Sequence, residues 1–193
     1  MVQLSPDTHM DGWDASSGYH YDDDTIFGFS HTHLSGTGIG DYGDILVLPF
    51  TGETSPSPAA TFKKSTEEAS PGYYQVQLDN FGVRAELTTT YRVGMHRYTF
   101  PKGQDKKVMV DVGHILQPGW GHRNVKNEIE FVDNKTIRGT KLSKGWAFDH
   151  RIYFYMEFSS PYTVESTISD DQSSEGKKVS GTDVRSYLNF GGD

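Results

Sequence analysis

Apolar and polar residues alternate strictly over several short segments, and this pattern constrains the fold more than any other feature of the chain. Apolar side chains occupy every second position of residues 73–78 and of residues 83–87, and a turn at residues 79–82 separates the two runs. A period of two residues is that of a β-strand with one buried face. Two such runs around a short turn predict an antiparallel hairpin.

The same alternation recurs along the chain. Residues 151–158 place Ile152, Phe154, Met156 and Phe158 on one face, and no segment shows a sustained helical stripe. Many short strands separated by turns are typical of an antiparallel β-sandwich. We therefore predict an all-β sandwich in one domain over residues 1–193. Further strands are predicted at residues 25–30, 45–48, 107–112, 128–132 and 136–139, and loops at residues 51–60 and 166–181.

The composition excludes several classes of protein. The formal net charge of −8 argues against a nucleic-acid-binding surface. No apolar run is long enough for a transmembrane helix, so membrane insertion is not expected. Because the chain has no cysteine, it has no disulfide and no thiolate metal site. An aromatic content of 13% suits a β-rich globular protein.

Candidate site residues concentrate in the first 50 positions, where aspartate, histidine and aromatic residues are interleaved with glycine. A sugar offers hydroxyls to carboxylates and imidazoles, and it offers an apolar C–H face to an aromatic ring. This composition therefore predicts a carbohydrate-binding region. The candidate substrate-binding residues are Trp13, Asp14, Tyr19, His20, His31, His33, Asp41 and Asp44.

Each feature also has a structural alternative. Trp13 fits a core tryptophan equally well. The His-Thr-His spacing at residues 31–33 fits a metal site, although such pairs more often form hydrogen bonds within a loop. The three aspartates at residues 22–24 lack the glycine and the glutamate of an EF-hand, which favours a solvated turn. Residues 36–41 follow no predicted parallel strand, so their glycines indicate a tight backbone path and not a phosphate loop.

No catalytic pair is evident from the residues alone. A glycosidase needs two carboxyl groups at a set separation, one of them kept protonated. The spacing of Asp14, Asp41 and Asp44 selects no such pair, and no Gly-x-Ser-x-Gly motif is present. The residues therefore predict a polar, aromatic-lined binding site and no particular reaction, and they leave open whether the chain is itself an enzyme.

A resemblance to a known family spans most of the chain. It is carried by eight ordered blocks, at residues 1–8, 11–13, 17–21, 28–38, 40–44, 68–74, 85–88 and 92–101. Together these blocks resemble the N-terminal part of glycoside hydrolase family 92. Long blocks in a fixed order are far more specific than any short motif.

The resemblance implies an enzyme of two parts. Members of the family are mainly bacterial, calcium-dependent exo-α-mannosidases that invert the anomeric configuration. They join an N-terminal β-sandwich of the large supersandwich type to a C-terminal (α/α)₆-barrel. The resemblance implies that the catalytic carboxylates and the calcium ligands lie in the barrel. This chain is then expected to be the sandwich, truncated at its N-terminal end, without the barrel and inactive alone.

The resemblance also implies roles for particular residues and partners. Trp13 and Asp14 match a stretch that approaches the mannose site, and the other candidates are expected nearby. The expected ligand is an α-mannoside glycan, with an α-1,2 linkage, and the expected partner is the barrel of the same polypeptide. The parent protein is expected in the periplasm or outside the cell.

Two alternatives stay open at this point. The chain could be an autonomous carbohydrate-binding module, or a structural sandwich whose loops only contact the barrel. If the barrel is missing, the surface that it would cover is exposed in the isolated chain. We therefore expect the isolated domain to self-associate through apolar residues.

Overall fold

The structure is a computed structural model that describes residues 2–34 and 40–192. Within these ranges the chain consists of short β-strands, with 3-10 helices only at Trp13–Ala15, Lys64–Thr66 and Pro118–Trp120. No helix in the described part is long and apolar enough to cross a membrane. The all-β prediction is confirmed. The strands are β1 (Ser5–Asp7), β2 (Thr25–Ile26), β3 (Gly28–Ser30), β4 (Leu46–Phe50), β5 (Ala60–Thr61), β6 (Glu68–Ser70), β7 (Tyr73–Leu78), β8 (Val83–Thr89), β9 (Gly94–Thr99), β10 (Lys107–Asp111), β11 (Arg123–Phe131), β12 (Thr136–Lys144), β13 (His150–Glu157), β14 (Thr163–Ser169), β15 (Gln172–Ser174), β16 (Lys178–Gly181) and β17 (Val184–Asn189).

The strands assemble into three main sheets. A seven-stranded sheet has the order β1-β3-β4-β10-β17-β14-β15, and two four-stranded sheets have the orders β6-β7-β8-β9 and β13-β12-β11-β16. Strands β2 and β5 form a separate short pair. Each pairing among the described strands is antiparallel, as predicted for a sandwich.

The seven-stranded sheet is the middle of three layers. Each residue of its strands β4 and β10 is buried. Because successive side chains of a strand point to opposite faces, Leu46, Leu48 and Phe50 enter one core while Val47 enters the other. The first core lies against the β6–β9 sheet and the second against the sheet that contains β11, β12 and β13. The protein is therefore a β-sandwich with a shared central layer.

The alternating segments pack as their sequence predicts. Strands β7 and β8 form the predicted hairpin, and their apolar positions enter the first core. Ile152, Phe154 and Met156 of β13 pack against the second core. Burying a side chain of this size stabilises the fold by about 1.5–3 kcal/mol. The buried apolar residues of β7 and β8 are Val76, Leu78, Val83, Ala85 and Leu87.

The prediction of a loop at residues 166–181 is wrong. This segment holds most of β14, all of β15 and all of β16. Small polar residues of this segment fill buried strand positions by forming hydrogen bonds, as Thr167 does with Ser186 of β17, through hydroxyl oxygens 2.9 Å apart. Val179 anchors β16 in the second core. The loop predicted at residues 51–60 is confirmed up to the start of β5, and the run at residues 25–30 is divided into β2 and β3.

Candidate functional site

Trp13 and Asp14 lie on the 3-10 turn that follows β1, and both side chains reach solvent. The Trp13 side chain is 71% exposed, so the core alternative for this residue is wrong. Its ring packs edge-on against Trp120, with ring centroids 4.9 Å apart. The Asp14 carboxylate lies 3.9 Å from Nε2 of His20. An exposed indole beside a carboxylate and an imidazole offers both kinds of contact that a sugar ring makes.

A buried glutamine fixes the turn that carries Trp13. The Gln117 side chain donates to the carbonyl of Gly12 at 2.7 Å and accepts from the amide of Gly12 at 2.8 Å. The carboxylate of Asp11 accepts a further bond from the amide of Gly119 at 2.9 Å. These bonds tie the Trp13 turn to the Pro118–Trp120 turn. The indole pair therefore stands on a rigid base.

Tyr19 is partly buried and bonds to other parts of the protein. Its hydroxyl donates to Glu67 at 3.1 Å and accepts from the ammonium of Lys64 at 2.9 Å. The same ammonium lies 4.6 Å from the centre of the Tyr19 ring, within the range of a cation–π contact. These contacts attach the segment before β2 to the Lys64–Thr66 helix. Tyr19 thus holds the segment that contains His20.

His31 belongs to a partly buried chain of hydrogen bonds. Its Nδ1 lies 2.7 Å from the carbonyl of Ile45 and must donate to it. Its Nε2 then accepts from Nε2 of His96 at 3.0 Å, and Nδ1 of His96 accepts from the hydroxyl of Tyr98 at 2.7 Å. Each imidazole is neutral in this arrangement. Burial lowers the pKa of His31, and burial together with the nearby His31 places the pKa of His96 well below its usual range.

Acid is expected to destabilise the fold through this chain. Folding lowers the pKa of His96. The contribution of His96 to the free energy of unfolding is therefore present above the unfolded pKa of about 6.5, and it is lost as the pH falls. Each unit of lowering corresponds to about 1.4 kcal/mol. Between pH 7 and pH 5 we expect urea unfolding to show a larger loss of stability in the wild type than in His96→Gln. The exposed-site variant His20→Gln is the control, and equal slopes in the wild type and His96→Gln would contradict the prediction.

His33 and His114 clamp a fully buried carboxylate. Nε2 of His33 lies 2.6 Å from one oxygen of Asp7, and Nε2 of His114 lies 2.7 Å from the other. Nδ1 of His33 donates to the carbonyl of Gln3 at 2.7 Å. Burial opposes the charge on Asp7, but the attraction of His33 and the bonds from both imidazoles outweigh it and lower the pKa of the carboxyl. Burial likewise opposes the charge on His33, and Asp7 raises its pKa.

Asp44 is the centre of a second buried cluster. One of its oxygens lies 3.0 Å from the ammonium of Lys141, in an ion pair without directed hydrogen-bond geometry. The other accepts bonds from His150 at 2.7 Å and from the hydroxyl of Thr32 at 2.5 Å. Lys141 also donates to the carbonyl of His114, which connects the two clusters. Despite burial, Lys141 and His150 lower the pKa of Asp44.

Asp41 holds a turn that carries two exposed aromatic rings. Its carboxylate accepts from the amide of Trp146 at 3.1 Å and lies 3.5 Å from Nδ1 of His122. Trp146 and Phe148 occupy the turn between β12 and β13, and both rings project into solvent. We call Trp13, Trp120, Trp146 and Phe148 the aromatic rim. Asp41 links the Trp146 and Phe148 side of this rim to the Trp120 side. It contacts Trp146 directly, and it also lies beside His122, which follows Trp120 by two residues.

The eight predicted residues fall into two groups. Trp13, Asp14 and His20 are accessible to a ligand on the surface. Tyr19, His31, His33, Asp41 and Asp44 bond to other parts of the protein and hold the surface loops in place. None of these placements tests sugar binding, so the assignment of all eight to a substrate site stays a prediction.

Sequence reasoning missed several residues of this region. Gln117 and Lys141 gave no signal, because their partners lie about a hundred positions away in the chain. Trp120 and Trp146 each stand beside glycines, and that context could have marked them as turn residues. Their exposure, and that of Phe148, becomes visible only in the structure.

The described residues contain no group of three or more histidine, aspartate or glutamate side chains arranged to hold a metal ion. In the metal alternative for residues 31–33, the ring nitrogens would have to face a common ion. Instead, they bond to Ile45, His96, Gln3 and Asp7. Asp7 and Asp44 do not fit a general acid, because that role needs a raised pKa and theirs are lowered. The glycine-rich residues 35–39 lie outside the described part of the chain.

Comparison with known proteins identifies relatives of this fold. A family GH92 α-mannosidase from Bacteroides thetaiotaomicron matches with a TM-score of 0.90 at 33% identity, over 98% of this chain and 28% of that one. That enzyme is also known in complex with mannoimidazole. The GH92 family glycosyl hydrolase ccman5 matches with a TM-score of 0.82 at 25% identity, over 98% of this chain and 27% of that one.

Sequence comparison agrees with the structural match. The chain is 28% identical over 173 residues to an uncharacterized secreted glycosidase of Arthroderma benhamiae, over 78% of this chain and 21% of that protein. It thus spans less than a third of the length of each of these relatives. The model of the glycosyl hydrolase family 92 N-terminal domain matches residues 1–193. The chain belongs to glycoside hydrolase family 92 and carries its N-terminal domain.

Proposed function

We propose that this chain forms the sugar-contacting wall of an exo-α-mannosidase whose catalytic groups lie in the rest of the polypeptide. The observation that carries the proposal is the exposed Trp13–Trp120 pair beside Asp14, held by Gln117 and Asp11. Membership of the family and the α-mannosidase among its solved relatives support the substrate class. The substrate is an α-mannoside glycan, and we propose an α-1,2 linkage.

We assign sugar binding and bond cleavage to different parts of the polypeptide. An inverting glycosidase needs one carboxylic acid to protonate the leaving oxygen and one carboxylate to activate water on the opposite face. We assign both to a C-terminal (α/α)₆-barrel in the same polypeptide, together with the ligands of calcium. Calcium would polarise sugar hydroxyls from that side.

Within this division, the chain binds and orients the sugar. The apolar face of the mannose ring lies on Trp13, the carboxylate of Asp14 accepts hydrogen bonds from the sugar hydroxyls, and the imidazole of His20 donates or accepts a further one. The buried clusters around Asp7 and Asp44 stabilise the loops behind this surface. Rigid placement matters because a catalytic site must hold its substrate close to the reacting geometry. The secreted relative supports a parent protein that acts outside the cell, and we include the periplasm in the proposal.

Replacement of Trp13 tests this function. In the polypeptide that includes the downstream sequence, we expect Trp13→Ala to lower kcat/KM on α-1,2-mannobiose by about 10–100-fold, through loss of stacking worth roughly 1.4–2.8 kcal/mol. Mannose release, measured with calcium present, is the readout. Tyr155→Ala removes an equally exposed ring on β13 and serves as the control. An unchanged kcat/KM in Trp13→Ala would favour a purely structural sandwich.

An autonomous binding module is the second candidate function. It is favoured by one observation, namely that Trp13, Asp14 and His20 are accessible in this chain by itself. It requires that the 193-residue chain bind methyl α-mannoside without a partner domain. The same exposed rings make self-association of the isolated chain an expected property.

A further inference from the structure

We propose that Gln117 is a positioning residue, which touches no ligand itself but sets the direction in which Trp13 faces the substrate. The inference rests on the proposed function and adds to it a buried residue that controls catalytic efficiency from behind the surface. Three observations carry it: the paired hydrogen bonds of the Gln117 side chain, the unusual backbone conformations that these bonds hold, and the lack of core packing by the turn that carries Trp13.

The Gln117 side chain is a hydrogen-bonding partner for the main chain of a single residue. It accepts a bond from the amide of Gly12 at 2.8 Å and donates one to the carbonyl of Gly12 at 2.7 Å. An amide side chain is suited to this pairing, because it carries a donor and an acceptor side by side without charge. The main-chain amide of Gln117 also donates to the carbonyl of Met10 at 2.8 Å. Three hydrogen bonds from Gln117 therefore hold the chain that leads into Trp13.

These bonds hold two residues in backbone conformations that are rarely adopted. Gly12 has a φ of 85° and a ψ of −177°, a combination that is essentially restricted to glycine. Gln117 itself has a φ of 62° and a ψ of 45°, in the left-handed region that few residues with a side chain occupy. Trp13 follows Gly12 directly, so the Gly12 conformation sets the direction of the indole. Because glycine has many alternative conformations, loss of the Gln117 bonds would free the indole to point elsewhere.

Hydrophobic packing does not hold this turn in place. Trp13 and its neighbour Asp14 are exposed, and the first buried apolar residue after them is Ala15. Gln117, by contrast, is fully buried. Burial of an amide is costly unless its polar atoms are satisfied, and here Gly12 satisfies both of them. A buried glutamine is therefore used to place a surface turn whose exposed side chains add nothing to the core.

The same residue also begins the turn that carries Trp120. The carbonyl of Gln117 accepts bonds from the amides of Trp120 at 3.0 Å and His122 at 3.4 Å. Gln117 thus contacts both turns of the indole pair, whose ring centroids lie 4.9 Å apart at an interplanar angle of 66°. The packing beneath is tight, since a side chain at Gly40 would overlap the Gln117 amide. The spacing of the two indoles is therefore set by one buried residue.

Replacement of Gln117 by methionine tests the inference, because methionine keeps much of the volume of glutamine but makes neither side-chain bond. In the polypeptide that includes the downstream sequence, we expect Gln117→Met to lower kcat/KM on α-1,2-mannobiose about tenfold, equivalent to 1.4 kcal/mol. If Gln117 acts through Trp13, the same change made in Trp13→Ala should cost less than about twofold further. Mannose release with calcium present is the readout.

The geometry of the indole pair gives a second readout, which does not depend on substrate. Two indole rings this close couple their electronic transitions, and the circular dichroism of the 193-residue chain should show the resulting paired band. We expect Trp13→Phe and Gln117→Met to abolish this band, while thermal unfolding shows that each variant is folded. Thr167→Val is the matched control, because it removes a buried hydrogen bond on β14, toward the opposite edge of the seven-stranded sheet from β1. It should change neither the band nor kcat/KM.

A change at Gly12 tests the same conformation from the surface side. A Cβ at Gly12 would meet no atom within 4 Å beyond its chain neighbours, so alanine adds backbone strain there without a steric clash. We expect Gly12→Ala to weaken the paired band and to lower kcat/KM, in the same direction as Gln117→Met. This variant decides the question if Gln117→Met does not fold.

The outcomes separate the inference from the proposed function. If Trp13→Ala lowers kcat/KM but folded Gln117→Met keeps either its band or its kcat/KM, the inference is overturned and the proposed function stands. Equal losses from Gln117→Met in the wild-type and Trp13→Ala backgrounds would also overturn it, since Gln117 would then act by a route other than Trp13. If Trp13→Ala itself leaves kcat/KM unchanged, the proposed function fails, and the band still shows whether Gln117 places the indoles.

Discussion

Replacing Lys141 with methionine is expected to lower the free energy of unfolding by about 3–5 kcal/mol, the usual cost of removing one partner of a buried ion pair. The side chain of Lys141 is fully buried, and that of its partner Asp44 is 1% exposed. Methionine preserves much of the side-chain volume, so the loss reports the charge left without its partner. Chemical denaturation of the wild type and Lys141→Met measures the difference.

The double variant Asp44→Asn with Lys141→Met is the matched control. Since it removes both charges, it should be more stable than Lys141→Met alone, with a coupling free energy of about 1–3 kcal/mol. A loss below about 1 kcal/mol in Lys141→Met would mean that the pair is not buried in solution. In that case the stability of the loops behind the candidate site would need another explanation.

Replacing Asp7 with asparagine is expected to destabilise the protein by a similar amount, about 3–5 kcal/mol. The carboxylate is fully buried, and its two oxygens bond to His33 and His114. Because Asp7 raises the pKa of His33, the variant should also show a lower pKa for that imidazole. Denaturation measures the first effect, and titration of the histidine resonances by NMR measures the second.

The sign of the pH dependence distinguishes the two partners of this pair. Folding lowers the pKa of Asp7. The contribution of Asp7 to the free energy of unfolding is therefore present above the unfolded pKa of about 3.8, and it is lost as the pH falls. Folding raises the pKa of His33, so that contribution is present below about 6.5 and is lost as the pH rises through the folded pKa. An unaltered pKa of His33 in Asp7→Asn would contradict the assigned ion pair.

The fold was largely predictable because the alternation of apolar and polar residues that indicates it involves only neighbouring positions in the sequence. The alternation in residues 73–78 and 83–87 depends only on which face of each strand is buried, and β7 and β8 bear it out. Strands β14 to β16 escaped prediction because small polar residues, above all serine and threonine, dominate their composition, while single residues such as Val179 reach the core. The existence of three layers was also not predictable, because it depends on how distant strands stack.

The candidate site was predictable only in part, since its exposed residues are local but their supports are not. Trp13 and Asp14 share one turn, and their composition alone suggested sugar contact. The partner of Asp7 at His114 is 107 positions away, and that of Asp41 at Trp146 is 105 positions away. No sequence period relates such pairs. As a result, buried supports such as Asp41 and Asp44 had the same appearance in the sequence as ligand-binding residues.

Mannose release from α-1,2-linked mannobiose, with calcium present, tests most directly whether the catalytic groups lie outside this chain. It should be measured for the 193-residue chain and for the polypeptide that includes the downstream sequence. We expect no release by the chain alone and release by the longer polypeptide. Release by the chain alone would contradict this expectation, because a catalytic pair of carboxylates would then lie within residues 1–193.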